Sequence, residues 1–249
     1  ISYYVKQAIS VIQGNYNDSN PQFYLLNKQW VHLEKVTAQT QHEYMIPIID
    51  ISSSMRKYDD EPLYAAIGYA ILISNQSSIQ NRIMIMDNNP IWIQFEDNML
   101  FVHKVKRVLD ILSSVYSTKT SYINTFRLIG NTFGDDINNM QFVIFSTFTE
   151  EQSPDTILYD TIMNTLSSYT NSVSHISFWN LSKHENTILP CLSEQNKTKL
   201  LSGYSPHLIS QLYNPKRYYM YTPYINILYE LNSYQYDILD EYINNLVCM

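Results

Sequence analysis

Glycine and cysteine are scarce in this chain of 249 residues, and both shortages exclude kinds of site. The sequence has 5 Gly and 2 Cys against 22 Tyr. A chain so poor in glycine lacks the glycine-rich loops that cradle phosphates in many nucleotide-binding proteins. The two cysteines, Cys191 and Cys248, show no metal or redox spacing, and one distant pair does not make a disulfide framework. The sequence therefore predicts neither a nucleotide cradle nor a cysteine-based site.

Long apolar runs and an excess of positive charge are also missing. No apolar run approaches the roughly 18 residues that a membrane-spanning helix needs, and the start does not resemble a signal peptide. The formal net charge is −7, from 16 Lys and Arg against 23 Asp and Glu, which argues against sequence-independent binding to phosphate backbones. We expect an intracellular, cytoplasmic protein with no membrane partner. The richness in Ile, Asn and Tyr is typical of an AT-rich genome, viral or eukaryotic.

Apolar runs and helical patterns alternate along most of the chain. Strands are predicted at 44–49, 82–86, 91–95, 140–145 and 175–179, and a last strand with its approach at 187–192 and 200–205. Helices are predicted at 61–74, 102–116, 122–129, 156–169 and 206–213. The Asp-Asn-Asn-Pro turn at 87–90 indicates a hairpin, so one strand should be antiparallel at a sheet edge. The pattern predicts a doubly wound, Rossmann-like α/β domain with a mostly parallel sheet and helices on both faces.

The two ends of the chain differ from this alternating pattern. Residues 1–40 have helical spacing interrupted by a turn, and we expect a helical extension that ends an upstream helical domain, because the first residue is Ile. The main domain then covers residues 41–213. Residues 214–249 are rich in tyrosine, and the favoured interpretation is a helical segment that packs on the domain. The alternative is an RNA-stacking surface, because Lys216 and Arg217 precede two tyrosines.

The stretch from Met45 to Met55 joins an apolar run to a cluster of oxygen-bearing side chains. Asp50 closes the predicted strand, and Ser52 and Ser54 follow it. In open α/β sheets, ligands bind at the carboxyl ends of the strands. One carboxylate and two hydroxyls at this spacing suit Mg²⁺, which prefers oxygen ligands. The alternative is a strand followed by a helix with Ser or Asp as its N-cap.

Several segments of the sequence, in order, resemble a known family. They are Ile48-Ile-Asp-Ile-Ser-Ser-Ser-Met55, the helix from Leu63 to Ser74, Thr120-Ser-Tyr-Ile-Asn-Thr-Phe126, the strand Phe142 to Phe145, Ile176-Ser-Phe-Trp-Asn-Leu181 and Leu200-Leu-Ser-Gly-Tyr-Ser-Pro206. Together they resemble a von Willebrand factor A (vWA) domain. They are most similar to the A-type domain at the carboxyl end of an uncharacterised family related to the TROVE/Ro RNA-binding proteins. The resemblance covers roughly residues 40 to 213 and implies a vWA-like fold.

The resemblance implies a metal-ion-dependent adhesion site (MIDAS) that holds Mg²⁺ or Mn²⁺. Asp50, Ser52 and Ser54 match the first loop of that site, and Thr120 matches the threonine of the second loop. The third loop normally supplies an aspartate, and Thr147 takes its place here. The loss of one carboxylate predicts weaker metal binding, because the charge of the ligands contributes to affinity.

Further acidic or polar residues are predicted around this metal site. We expect Asp59, Glu150 and Asn180 at the rim, where a partner would bind. For Asn180, which ends a predicted strand, the alternative is a turn or cap residue. Asp59 or Asp60 from the first loop, or Glu150 or Glu151 from the third, could replace the missing carboxylate. The alternative is a vestigial site, in which the Ser and Thr hydroxyls bind one another and water.

The resemblance and the missing motifs together favour a binding function over catalysis. No pattern in the sequence nominates a nucleophile or a base, so we expect no enzyme, and a metal-dependent hydrolase is disfavoured for want of a second carboxylate. We expect a vWA-type module that binds a protein partner, through an acidic side chain at the metal. The alternative is a component of a TROVE-like ribonucleoprotein whose upstream helical region binds RNA.

Overall fold

The computed structural model of the chain describes residues 1–14, 20–38, 44–79, 81–115, 120–148, 158–170, 175–183 and 198–213. The predicted strand approach at 187–192 and the tyrosine-rich segment 214–249 lie outside these ranges. Within them, no helix is long and apolar enough to cross a membrane.

Six strands in the described ranges form one mixed sheet. They are β1 (Tyr44–Asp50), β2 (Arg82–Met86), β3 (Ile91–Gln94), β4 (Met140–Ser146), β5 (His175–Asn180) and β6 (Thr198–Ser202). Their order in the sheet is β3-β2-β1-β4-β5-β6. β2 and β3 pair antiparallel, and every other neighbouring pair is parallel. This confirms the predicted mostly parallel sheet with one antiparallel edge strand.

Seven helices lie in the same described ranges. They are α1 (Ser2–Gln13), α2 (Pro21–Thr37), α3 (Lys57–Gln76), α4 (Phe101–Ser114), α5 (Tyr122–Phe133), α6 (Leu158–Leu166) and α7 (Leu208–Leu212). Side-chain caps fix two of the starts. The Asn20 side chain accepts a hydrogen bond from the backbone of Gln22 at the start of α2, and Ser121 accepts one from Asn124 at the start of α5.

The helices cover both faces of the sheet, as a doubly wound fold requires. α1, α2, α3, α4 and α7 bury their apolar residues on one face, and α5 and α6 do so on the other. Neighbouring residues of a strand point to opposite faces, so the parallel strands are apolar on both. Ile48 and Ile49 of β1, for example, belong to different halves of the core. The predicted α/β class is therefore confirmed.

Helices α1 and α2 share their core with the sheet. Val5 and Ala8 of α1 are fully buried in the half of the core that also contains Ile49. Trp30 of α2 stacks on Phe101 of α4 with ring centroids 3.7 Å apart. The buried apolar residues in the described part of residues 1–40 thus belong to the same half of the core as α3 and α4.

The register of the strands places a row of polar residues at the carboxyl edge of the sheet. Asp50 lies one position beyond the last registered pair of β1 and β4, beside Ser146. Ser146 pairs with Asn180 of β5, which pairs with Ser202 of β6. The strand order reverses between β1 and β4, and this switch point is where ligands bind in open α/β sheets.

Gly130 in α5 allows an aromatic ring to lie against the helix. A Cβ atom at this position would lie 2.5 Å from two carbons of the Tyr169 ring, whose hydroxyl donates to Asn131 at 3.0 Å. Gly130→Ala should therefore lower the free energy of unfolding by roughly 1–3 kcal/mol, although alanine normally favours a helix interior. Chemical denaturation measures the change.

A Tyr169→Ala background tests whether the ring is the cause. Without the ring, Gly130→Ala should be neutral or should stabilise the protein by up to about 1 kcal/mol. An equal loss of stability in both backgrounds would show that the contact with Tyr169 does not decide the choice of glycine.

Candidate functional site

The carboxylate of Asp50 is the centre of a buried hydrogen-bond network at the end of β1. Asp50 is only 3% exposed. Its Oδ1 atom accepts a hydrogen bond from the backbone nitrogen of Ser52 at 2.8 Å, and its Oδ2 atom accepts one from the Ser52 hydroxyl at 3.0 Å. An aspartate often shapes a turn in this way, by bonding its own backbone two residues on. Asp50 thus fixes the loop that carries Ser52 and Ser54.

The end of β4 supplies two more hydroxyl groups to this network. Ser146 donates from Oγ to Asp50 Oδ2 at 2.6 Å and accepts from the backbone nitrogen of Phe148 at 3.1 Å. Thr147 donates from Oγ1 to Ser54 Oγ at 2.7 Å. Both side chains are buried. These bonds join positions 96 and 93 residues apart in the sequence, so they hold the loops of β1 and β4 together.

The hydroxyl protons of the network form a directed chain. Ser52 Oγ and Ser54 Oγ are 2.9 Å apart, and the distance alone does not say which donates. A serine hydroxyl has one proton, and that of Ser52 goes to Asp50, so Ser54 donates to Ser52. Thr147 in turn donates to Ser54. Each proton in the series Thr147, Ser54, Ser52 therefore points toward the negative charge of Asp50.

The oxygens of this network are of the type that a small divalent cation binds, and two of their separations match those between its ligands. Mg²⁺ binds six oxygens at about 2.0–2.1 Å, which puts adjacent ligands about 2.9 Å apart. Ser52 Oγ lies 3.0 Å from Asp50 Oδ2 and 2.9 Å from Ser54 Oγ. To bind an ion, the two serine protons would turn away so that oxygen lone pairs face the metal. Asp50 is the one carboxylate that the described part of the chain contributes to the network, so this set alone predicts weak affinity.

The structure brings together four of the five predicted metal ligands, namely Asp50, Ser52, Ser54 and Thr147. The fifth, Thr120, directly precedes the N-cap of α5 and is half-buried. Among the residues that the structure describes, it forms no hydrogen bond with the network. Across the described ranges, no three His, Cys, Asp or Glu side chains converge as a metal site. An ion at this edge would therefore depend on hydroxyl ligands.

Ser146 is the residue of the network that sequence reasoning missed. The sequence-based prediction assigned Thr147 to the third loop of the metal site, and Ser146 directly precedes Thr147. The register across the sheet is the signal that identifies Ser146, because it places the last residue of β4 beside the last residue of β1. A motif that is local in sequence does not contain this information.

The predicted rim residues have different environments. Asp59 is exposed in the turn before the regular part of α3. Asn180 ends β5, and its side-chain oxygen accepts a hydrogen bond from the backbone of Ser182, as a turn residue does. Glu150 lies outside the described residues.

Three consecutive residues near the start of α3 have left-handed rather than helical backbone. Tyr58, Asp59 and Asp60 have φ angles of 57°, 56° and 58°. Such a conformation costs an L-residue roughly 1–2 kcal/mol. It is kept where the surrounding structure fixes it, often near functional sites. The turn that presents Asp59 is therefore strained, and it lies only four residues after Ser54.

Lys183 contacts residues at both ends of this strained turn. Its ammonium forms an ion pair with Glu61 at 2.5 Å and lies 5.6 Å from the centre of the Tyr58 ring. The hydrogen bond from Lys183 keeps the pKa of Glu61 below its usual range. The centre of the Tyr204 ring lies 5.9 Å from the same ammonium, and the Tyr204 hydroxyl donates to the backbone oxygen of Leu181. Burial raises the pKa of Tyr204 to about 12.

Comparison with known proteins places the chain in a family without assigning an activity. The family described as domain of unknown function (DUF7788) matches residues 44–218, more than half of the chain. This chain is also similar to a solved structure, that of proximal thread matrix protein 1 from the mussel byssus. The identity is 7% and the TM-score 0.42, with 69% of this chain and 46% of that chain covered. The match thus spans less than half of the mussel protein. No curated protein matches the chain.

Removal of the Ser146 hydroxyl should destabilise the protein, because it removes the hydrogen bond that links the end of β4 to Asp50 at the end of β1. Ser146→Ala deprives Asp50 of one donor and the Phe148 nitrogen of its acceptor in a buried position, so we expect a loss of roughly 1–3 kcal/mol in the free energy of unfolding. Ser113→Ala is the matched control, because that exposed serine bonds only a helix carbonyl. The control should change stability by less than about 0.5 kcal/mol. Equal effects of the two substitutions would contradict the assignment.

Glycine at position 59 should relieve the strain of the left-handed turn. Asp59→Gly is expected to raise the free energy of unfolding by up to about 1 kcal/mol, because glycine adopts positive φ without steric cost. Arg107→Gly, in the exposed middle of α4, should lower it by about 1 kcal/mol. Thermal and chemical denaturation compare the two variants. A similar loss at both positions would show that the turn is not strained.

Proposed function

We propose that this chain, which belongs to the DUF7788 family, is a non-enzymatic module of vWA type that binds a protein partner at the carboxyl edge of its sheet. The single observation that carries the proposal is the buried series of hydroxyls that ends on Asp50 at the switch point between β1 and β4. Residues there are placed where open α/β sheets bind ligands. Asp50, Ser52 and Ser54 hold a divalent cation, Mg²⁺ or Mn²⁺, and the cation binds an acidic side chain of the partner.

The charge of the ligand set supports an acidic group as the partner's contribution. Asp50 brings one negative charge, and the hydroxyls of Ser52, Ser54 and Thr147 are neutral. A divalent ion held by this set keeps an excess positive charge. Because Mg²⁺ requires six oxygen ligands and favours carboxylates, a carboxylate from outside the chain balances that charge and replaces a bound water. The threonine at position 147 thus favours binding in trans over a closed internal site.

The composition of the network supports binding rather than catalysis. A serine or threonine nucleophile needs a neighbouring base that takes its proton. Among the residues that the structure describes, the network contains Asp50, Ser52, Ser54, Ser146 and Thr147, and none of these is a histidine or a lysine. The acceptor of the Ser52 proton is the Asp50 carboxylate, which is a weaker base than an imidazole or an amine. The arrangement is therefore suited to holding an ion rather than to activating a nucleophile.

The proposed interaction is tested by removing the two serine hydroxyls from the first loop. In Mg²⁺, the wild-type protein should retain partners from extracts of its source cells that are released by EDTA. Ser52→Ala/Ser54→Ala should lose the same partners, since it removes two ion ligands. The control Ser113→Ala/Ser114→Ala alters two exposed serines of α4 and should retain them. Titration of the purified partner then measures the affinity. Partners that bind all three proteins equally in Mg²⁺ and EDTA would contradict the proposal.

An aspartate at position 147 should strengthen ion binding by the chain alone. Thr147→Asp adds a second negative charge beside Ser54, so we expect Mg²⁺ affinity to rise by roughly tenfold or more. The same variant should be less stable than the wild type in EDTA, because two buried carboxylates then repel each other. Calorimetric titration measures the first effect, and thermal unfolding measures the second. An unchanged affinity would mean that the loop of β4 does not face the ion.

A further inference from the structure

Asp87 follows β2 directly, and one of its carboxylate oxygens is buried without a hydrogen bond. The side chain is 4% exposed. Its Oδ2 atom accepts a long hydrogen bond of 3.3 Å from the backbone of Asn89. Its Oδ1 atom has no partner among the residues that the structure describes. A buried polar atom of this kind costs free energy, and native proteins keep few of them. An ion at Oδ1 would compensate for the missing hydrogen bond.

The register of the sheet places Asp87 close to Asp50. β2 lies beside β1, and Asp50 pairs with Met86, so Asp87 is one residue beyond the row that contains Asp50. Neighbouring strands are about 4.8 Å apart, which puts the backbones of the two aspartates within about 6 Å of each other. Both aspartates therefore lie at the carboxyl edge of the sheet, on adjacent strands.

The start of α5 contacts the same edge of the sheet, at the loop that follows β2. Asn124 in the first turn of α5 donates from its side chain to the backbone oxygen of Asn88 at 2.8 Å. This bond holds the hairpin after Asp87 against the helix that Thr120 precedes. Thr120 and Asp87 are thus brought to one edge, although Thr120 has no hydrogen bond to Ser52 or Ser54.

We propose that Asp87 is the second acidic ligand of the divalent cation at this edge, and that it supplies the carboxylate that Thr147 does not. The inference rests on the proposed function, because it assumes that Asp50, Ser52 and Ser54 hold the ion. Asp87 adds a second negative charge to that of Asp50, and with Ser52 and Ser54 the two aspartates fill four of the six positions of Mg²⁺, so that the partner's carboxylate still has a position to bind. The Asp87 carboxylate binds either directly or through one of the waters that Mg²⁺ usually retains. Asp87 belongs neither to the Asp-x-Ser-x-Ser motif nor to the second and third loops of the predicted metal site.

The proposal is tested by titrating the protein with Mn²⁺ and measuring the free ion by electron paramagnetic resonance. Asp87→Asn keeps the shape of the side chain and removes its charge, so the Mn²⁺ affinity should fall by roughly tenfold to a hundredfold. Asp136→Asn removes an exposed carboxylate from the turn before β4 and is the matched control, with an expected affinity equal to that of the wild type. Asp50→Asn should abolish binding.

Thermal unfolding gives a second readout that separates ion binding from a structural role. In EDTA, Asp87→Asn should be at least as stable as the wild type, because it removes a buried charge that lacks a full set of partners. With Mn²⁺, the wild type should gain thermal stability and Asp87→Asn should gain much less. Asp87→Ser is the second variant, and the same pattern is expected of it if Asp87→Asn does not fold.

The outcomes distinguish this inference from the proposed function. If Asp87→Asn binds Mn²⁺ as the wild type does, while Ser52→Ala/Ser54→Ala does not, Asp87 is no ligand and the proposed function stands. If the wild type binds no Mn²⁺, both proposals are overturned. A loss of stability of Asp87→Asn in EDTA, with unchanged Mn²⁺ affinity, also overturns the inference and assigns Asp87 a structural role.

Discussion

The hydrogen bonds that Asp50 accepts are the interaction on which the carboxyl edge of the sheet depends. One carboxylate receives the backbone nitrogen and hydroxyl of Ser52 and the hydroxyl of Ser146. The first two bonds shape the loop after β1, and the third joins that loop to β4. Because the strand order reverses between these strands, the edge would otherwise be open to water. The charge that shapes the loops is also the charge that would attract a cation.

Protons and a cation compete for the same oxygen lone pairs in this network. With protons, the series from Thr147 through Ser54 to Ser52 ends on Asp50, and every hydroxyl is satisfied. With an ion, the oxygens keep nearly the same separations, since ligands of Mg²⁺ lie about 2.9 Å apart. The proposed ion would therefore require little movement of the Ser52 oxygen relative to those of Asp50 and Ser54. What limits affinity is charge, and a carboxylate of a partner or of Asp87 addresses that limit.

The sequence predicted the parts of this arrangement that are local along the chain. The alternation of apolar runs indicated the parallel sheet and its antiparallel edge strand, and the Asp-x-Ser-x-Ser spacing indicated the loop after β1. Ser146 was missed because its contact with Asp50 depends on strand register. The left-handed turn at 58–60 was missed because it contains no glycine, the usual sign of positive φ. Asp87 was interpreted only as part of a hairpin turn, since burial of its oxygen is a tertiary property.

Anomalous diffraction from crystals grown with Mn²⁺ tests most directly whether this edge holds a cation. A peak is expected at the carboxyl ends of β1 and β4, within bonding distance of Asp50 and of at least one hydroxyl of Ser52 or Ser54. The peak should disappear in crystals of Asp50→Asn. Well-ordered loops with the Thr147, Ser54, Ser52 and Asp50 hydrogen bonds intact, and no anomalous peak at this edge, would contradict the metal site and leave the network with a purely structural role.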